Sequence, residues 1–207
     1  MAFGDSITES KEQQLDDRWS VLLENKLQQA NPTLDIKVVN AGVGGNTSRN
    51  GVERIDRDVM PHKPDFVLVE FGNDVIRDVN RHVSLEEYDE NFGKMFNKVV
   101  EENGGELIIM TFTPIVNEWH LSSKQQYFIE HGGIDANMES YREVTRKFAA
   151  RNNCTLLDLD NVLREAMAKY GNDKIILPDG IHLTKFANQL VAEAVAAILQ
   201  DKIARRC

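Results

Sequence analysis

Cysteine is nearly absent from this chain: Cys154 and Cys207 are the two in 207 residues. One falls at an expected helix-to-strand junction and the other at the last position, so no disulfide framework is expected, and the scarcity fits a reducing compartment. No stretch approaches the roughly 18 to 20 apolar residues that would span a bilayer, so no stable membrane insertion is expected. Nor does a charged segment followed by an apolar run open the chain. The expected location is cytoplasmic, although a leader removed from a precursor would leave the same pattern.

Basic charge is also in short supply, 24 residues against 33 acidic, for a net charge of −9. Lys37, Lys63 and Arg77 are isolated and the terminal "ARRC" is a short tail, which argues against a nucleic-acid partner. His62, His82, His120 and His131 show no metal-ligand spacing and are read as surface or packing residues, so no metal is expected. Repeats, low-complexity tracts and linkers are missing too. Residues 1–207 are therefore read as one domain, long enough for a substantial core.

What is present is an alternation of short apolar strands and amphipathic helices. "MAF" is a stub of strand, and Trp19, Leu22, Leu23 and Leu27 mark a helix closed by Asn31–Pro32. "IKVVN" (36–40) reads as a strand running into "AGVGGN". Val52, Ile55 and Val59 share a helical face ended by Pro61. "DFVLVEF" (65–71) and "ELIIMTF" (106–112) have the apolar, β-branched character of strands buried on both faces. Between them Leu85, Tyr88, Phe92, Met95, Phe96 and Val99 predict a helix, with Ser84 and Glu87 as a capping box. "TLLDL" (155–159) is a fifth strand, and Phe186, Leu190, Ala194, Val195 and Ile198 line a final helix. Crossovers of about 20 residues or more imply a parallel sheet with helices on both faces. Pro114 to Gly133 has no clean period and is expected to be a long binding loop or lid.

Ligands of such sheets bind at the carboxyl ends of the strands. There the chain places Gly4-Asp5-Ser6, then Asn40 to Thr47, then Gly72-Asn73-Asp74, and before the last helix Asp179-Gly180-Ile181-His182. A serine hydroxyl needs an adjacent base to act as a nucleophile. His182 is the best-placed imidazole for Ser6, and Asp179, three residues earlier, can orient its ring. An oxyanion needs fixed donors, which the N–H of Ser6, a glycine N–H of the second cluster and the Asn73 amide would supply. Each part also has a structural reading. Ser6 can cap a helix, Asp179-Gly180 is a common turn pair, Gly44-Gly45 can serve a tight turn with Asn46 as N-cap, and Asn73-Asp74 can form an Asx turn. Asp5 is expected to shape the nucleophile turn. The joint occurrence of four clusters at matching strand ends is what favours a site.

These clusters resemble the motif blocks of the SGNH hydrolases of the GDSL group. "FGDSIT" resembles the first block, with Ser6 as nucleophile. "NAGVGGNTS" resembles the second, and aligning its Gly-Asn-Thr ending makes Gly45 the oxyanion glycine. "FGNDV" resembles the third, with Asn73 as oxyanion amide, and "LPDGIHLT" resembles the block that supplies Asp179 and His182. The blocks run from residue 3 to 184. The resemblance implies a three-layer α/β/α sandwich with a flavodoxin-like five-stranded parallel sheet, no metal or organic cofactor, and esterase, lipase, thioesterase or carbohydrate O-acetylesterase activity. Ile7 stands where the family name has leucine. Family members carry several apolar residues before this turn, whereas Met1, Ala2 and Phe3 stand here, so the first strand is expected to be truncated.

A dinucleotide-binding reading of "GVGGNT" fails on spacing, because from Gly42 the last glycine position is Thr47. A non-catalytic binding member of the family is the other rival. The substrate expected is a small-molecule ester with a short acyl group, such as an O-acetylated carbohydrate, with lysophospholipase or thioesterase activity as the runner-up. Trp119, Tyr127 and Phe128 in the long loop are the candidate substrate contacts.

Overall fold

The structure, a computed structural model, describes residues 1–76 and 82–205. Arg77, and Arg206 and Cys207 of the basic tail, lie outside the described residues. Five parallel strands form one sheet in the order β2-β1-β3-β4-β5. They are β1 (Ala2–Gly4), β2 (Asn40–Gly42), β3 (Phe66–Glu70), β4 (Glu106–Met110) and β5 (Thr155–Leu157). The order is that of a flavodoxin-like doubly wound sheet, which puts its crevice at the β1 end where the winding reverses. The longer helices are α2 (Trp19–Ala30), α3 (Ser48–Asp58), α5 (Leu85–Phe96), α7 (Ile134–Arg151), α8 (Leu159–Tyr170) and α10 (Lys185–Ala204). Short helices α1 (Ser6–Glu9), α4 (Asn73–Ile76), α6 (Gln126–Glu130) and α9 (Asn172–Ile175) complete the set among the described residues. Helices α2 and α10 pack together on one face, and α3, α5 and α7 pack in succession.

Several boundaries differ from the sequence expectation for local physical reasons. Residues 36–39 precede β2 and meet β1 through Val39 O, which accepts from Ala2 N–H at 2.9 Å. The N–H groups of Ile36 and Val38 are taken by the side chains of Gln28 and Glu24, at 3.1 and 2.7 Å. The N-cap of α3 is Thr47, which accepts from Asn50 N–H, whereas Asn46 accepts from the Arg54 guanidinium at 2.8 Å. Ser84 caps α5, but Glu87 turns away to a bidentate pair with Arg49 at 2.6 and 2.7 Å, so only half of the capping box forms. Helix α5 continues as a π-helical stretch, Asn97–Glu102. On α10 the deepest positions are Ala187, Val191, Val195 and Leu199, while Phe186, Leu190, Ala194 and Ile198 are half-buried beside them. The loop after β4 carries a 3₁₀ turn (Leu121–Lys124) and α6.

Although three residues long, β1 is central: Ala2 pairs with Asn40 on one side and Leu68 on the other. The Met1 ammonium is buried against Phe66 O at 2.6 Å, and burial pushes its pKa down to about 6, opposed by the charge of Asp65. Beside it lies a groove of about 500 Å³ between residues 34–39 and 62–68, floored by Leu23, Leu27 and Leu199. No helix of the described residues is long and apolar enough to cross a membrane.

Candidate active site

The chain leaves β1 through Gly4, where a side chain has no room: a β-carbon would lie 2.3 Å from both Glu70 O and Thr8 Oγ1. Asp5 follows as the N-cap of α1, its Oδ1 accepting from Ile7 N–H at 3.0 Å, and Ser6 begins the helix. The helix is pinned by the Trp19 indole, which donates to Ile7 O at 3.1 Å, and ends at Ser10 in the left-handed region.

Ser6 Oγ lies 3.0 Å from His182 Nε2, and His182 Nδ1 lies 2.7 Å from Asp179 Oδ2. A carboxylate on Nδ1 assigns the proton to that nitrogen, leaving Nε2 to accept from the serine hydroxyl. The other Asp179 oxygen accepts from the N–H groups of Ile181 and His182, each at 3.0 Å. Burial alone would raise the Asp179 carboxyl; the hydrogen bonds from His182 and Ile181 outweigh it and hold the group below its usual value. Gly180 has φ +82°, and a β-carbon there would meet His120 N and Val116 O at 2.7 Å. Val116 N–H donates to Gly180 O at 2.9 Å, so the segment from Val116 to His120 is fastened against the Asp179–His182 turn.

The remaining clusters converge on the same edge. Asn46 N–H donates to Val43 O across a turn in which Gly45 has φ +76°. A β-carbon on Gly44 would stand 3.7 Å from Ser6 Cβ, and Gly44 N–H is held by Glu9 Oε2 at 2.8 Å. Asn73 is half-buried, and its Nδ2 donates to Asp5 Oδ2 at 2.8 Å, an acceptor shared with Gly72 N–H at 2.9 Å. This bond fixes the plane of the Asn73 amide. Trp119 is half-buried on the segment against Gly180 and Tyr127 is exposed, stacked on His131. Phe128, expected as a substrate contact, is instead 2% exposed and belongs to the core, because it anchors α6 beneath the exposed Tyr127.

Three buried carboxyls lie under this edge. Burial raises Asp5, partly offset by N–H donors from Ile7, Gly72 and Asn73. Burial and the neighbouring Asp5 charge raise Glu70 well above its ordinary value, and among the described residues its hydrogen-bond partner is the Thr8 hydroxyl at 3.0 Å. Of the pair, Asp5 has the larger set of donors to stabilise a charge, and Glu70 is the one raised further. Asp74 is pushed up to about 7, first by burial, against the hydroxyl and N–H of Ser48. Sequence reasoning missed Glu70, and also Glu12, whose Oε1 lies 3.7 Å from His182 Nε2. Glu12 lies in the turn after α1, beyond the left-handed Ser10, so no helical period linked it to Ser6. Among the described residues no group of three or more His, Cys, Asp or Glu side chains is placed to hold a metal ion.

A flavodoxin-like sheet with Ser, His and Asp linked at its carboxyl edge is an arrangement suited to acyl transfer. Residues 2–190 match the model of the GDSL-like Lipase/Acylhydrolase family, and the chain belongs to that family. It is 30% identical over 148 residues to an acetylxylan esterase of Geobacillus stearothermophilus, covering 68% of this chain and 62% of that protein. It is 27% identical over 177 residues to the uncharacterized lipoprotein YqeF of Bacillus subtilis, covering 78% of this chain and 72% of that protein. In fold it is similar to a lipase/acylhydrolase from Enterococcus faecalis, with TM-score 0.78 and 22% identity over 97% of this chain and 94% of the other.

Proposed function

We propose that this chain hydrolyses carboxylic esters in two steps through an acyl-enzyme on Ser6, acting on short acyl groups such as the O-acetyl esters of carbohydrates. The observation that carries the reading is the relay from Ser6 Oγ to His182 Nε2 at 3.0 Å and from Nδ1 to Asp179 at 2.7 Å. His182 takes the serine proton, the alkoxide attacks the carbonyl, and the protonated ring then gives that proton to the leaving alcohol. Water deprotonated by His182 releases the acid in the second half. The N–H groups of Ser6 and Gly45 and the Asn73 amide hold the oxyanion. Similarity to an acetylxylan esterase supports the acetyl preference. A lysophospholipase or thioesterase reading has its own support in apolar surface on the loop after β4, where Leu121 is 88% exposed and Ile129 is also exposed.

Hydrolysis of p-nitrophenyl acetate should be lost in Ser6→Ala and severely reduced in His182→Ala, with a smaller loss in Asp179→Asn. Equal activity in wild type and Ser6→Ala refutes the assignment, and an inert wild type favours a binding role. A chain-length series of nitrophenyl esters, run beside acetylated xylo-oligosaccharides, separates the two substrate readings. A cytoplasmic location is proposed from the scarcity of cysteine; the similarity to a lipoprotein makes export the alternative, read by cell fractionation.

A further inference from the structure

We propose that Glu12 selects the leaving group by charge, favouring neutral and cationic alcohols over anionic ones. The inference rests on the serine-esterase reading. In that reaction His182 Nε2 delivers the proton to the departing oxygen, which must come within hydrogen-bond reach of this nitrogen. Glu12 Oε1 stands 3.7 Å from the same nitrogen, so the first atoms of any leaving alcohol pass close to its carboxylate. Glu12 is an exposed residue whose side chain is 22% accessible, so water and salt screen its charge in part.

The surrounding charges do not neutralise it. Among the described residues no lysine or arginine forms an ion pair with Glu12. Lys11, the nearest cation in sequence, pairs with Glu9 at 3.5 Å, and Glu9 is also held by Gly44 N–H. Asp179 adds a further negative charge on the far side of the imidazole. A leaving group bearing phosphate, sulfonate or carboxylate therefore meets an uncompensated negative charge at the point of proton transfer. A sugar hydroxyl meets a hydrogen-bond acceptor in the same place. The chemistry favours esters of neutral polyols and disfavours lysophospholipids and polyanionic thioesters.

Three aryl acetates that differ at the para position test this: trimethylammonium, sulfonamide and sulfonate. In the wild type kcat/KM should fall in that order. In Glu12→Gln the ratio of the cationic to the anionic ester should shrink by about tenfold, as expected for a charge removed at such short range. Raising the salt from 20 to 500 mM should narrow the wild-type ratio and leave that of Glu12→Gln nearly flat. Glu101→Gln removes the same charge from the stretch before β4, at the opposite edge of the sheet, and should keep the ratio within twofold of wild type. Partial misfolding scales all three esters alike and leaves a ratio untouched. An unchanged ratio in Glu12→Gln overturns the proposal, as does an equal narrowing in Glu101→Gln. A wild type that hydrolyses none of the three overturns the esterase reading itself.

Discussion

Replacing Glu70 with glutamine should flatten the dependence of stability on pH above the carboxylate range. Glu70 is fully buried at the end of β3; Oε2 accepts from Thr8 and Oε1 has no hydrogen-bond partner. Burial, followed by the Asp5 charge, lifts its pKa well above the ordinary 4.5. The folded chain then keeps a proton that the unfolded chain releases. For an acid raised in this way, stability falls as pH rises from 4.5 toward the folded value. One full proton corresponds to about 1.4 kcal/mol per pH unit. For a chain of 207 residues, an unfolding entropy of about 2.1 cal/mol/K per residue converts this to a loss of about 3 °C in Tm per pH unit. Glutamine keeps an acceptor for Thr8 and cannot titrate. Asp5 and Asp74 lie close enough to act on Glu70 by charge, so the difference between the two curves reads the proton held by this group of carboxyls. Thermal unfolding of both proteins at half-unit steps from pH 5 to 8 measures that difference. Glu70→Gln should gain on the wild type as pH rises, with the full-proton limit of about 3 °C per unit as the ceiling. Curves that run parallel across the range would refute the reasoning.

Two further outcomes follow from backbone and packing. Gly180→Ala forces a β-carbon onto His120 N and Val116 O at a φ of +82°. A cost of about 1–3 kcal/mol is expected, and because the same turn carries Asp179 and His182, kcat should fall while KM changes little; unaltered kcat would show that the turn tolerates the shift. Extending the chain by four to six apolar residues ahead of Met1 should continue β1 into the groove of about 500 Å³ and exchange a buried ammonium for a peptide N–H. A net gain of about 2 kcal/mol, or roughly 5 °C, is expected once the ordering of the added residues offsets part of their burial, and an unchanged Tm would show that the groove does not take up added strand.

Much of this molecule was legible one segment at a time. Continuous apolar runs marked β3 and β4 because both faces of those strands are covered, and helical spacing marked α2 and α5 because one face of each is buried. The small polar clusters stood out at the strand ends because a parallel sheet delivers all its carboxyl ends to one edge. That Ser6, Asp179, His182 and Asn73 would meet at one edge could therefore be expected from order and residue type. Where local signals failed, a distant partner had intervened. Glu87 left its capping role for Arg49, the N–H groups of Ile36 and Val38 found Gln28 and Glu24, and Phe128 turned inward.

The order of elements and the chemical types at the strand ends were properties of the sequence itself, since period and residue type are local quantities. Tertiary structure alone decided how two buried carboxyls are solvated, because Asp5 draws donors from Ile7 and from the Gly72–Asn73 segment while Glu70 accepts from the Thr8 hydroxyl. It also decided that Asp5 would orient Asn73, 68 residues away, and that Glu12 would stand beside a histidine 170 positions later. Those are distances between segments, and only packing sets them.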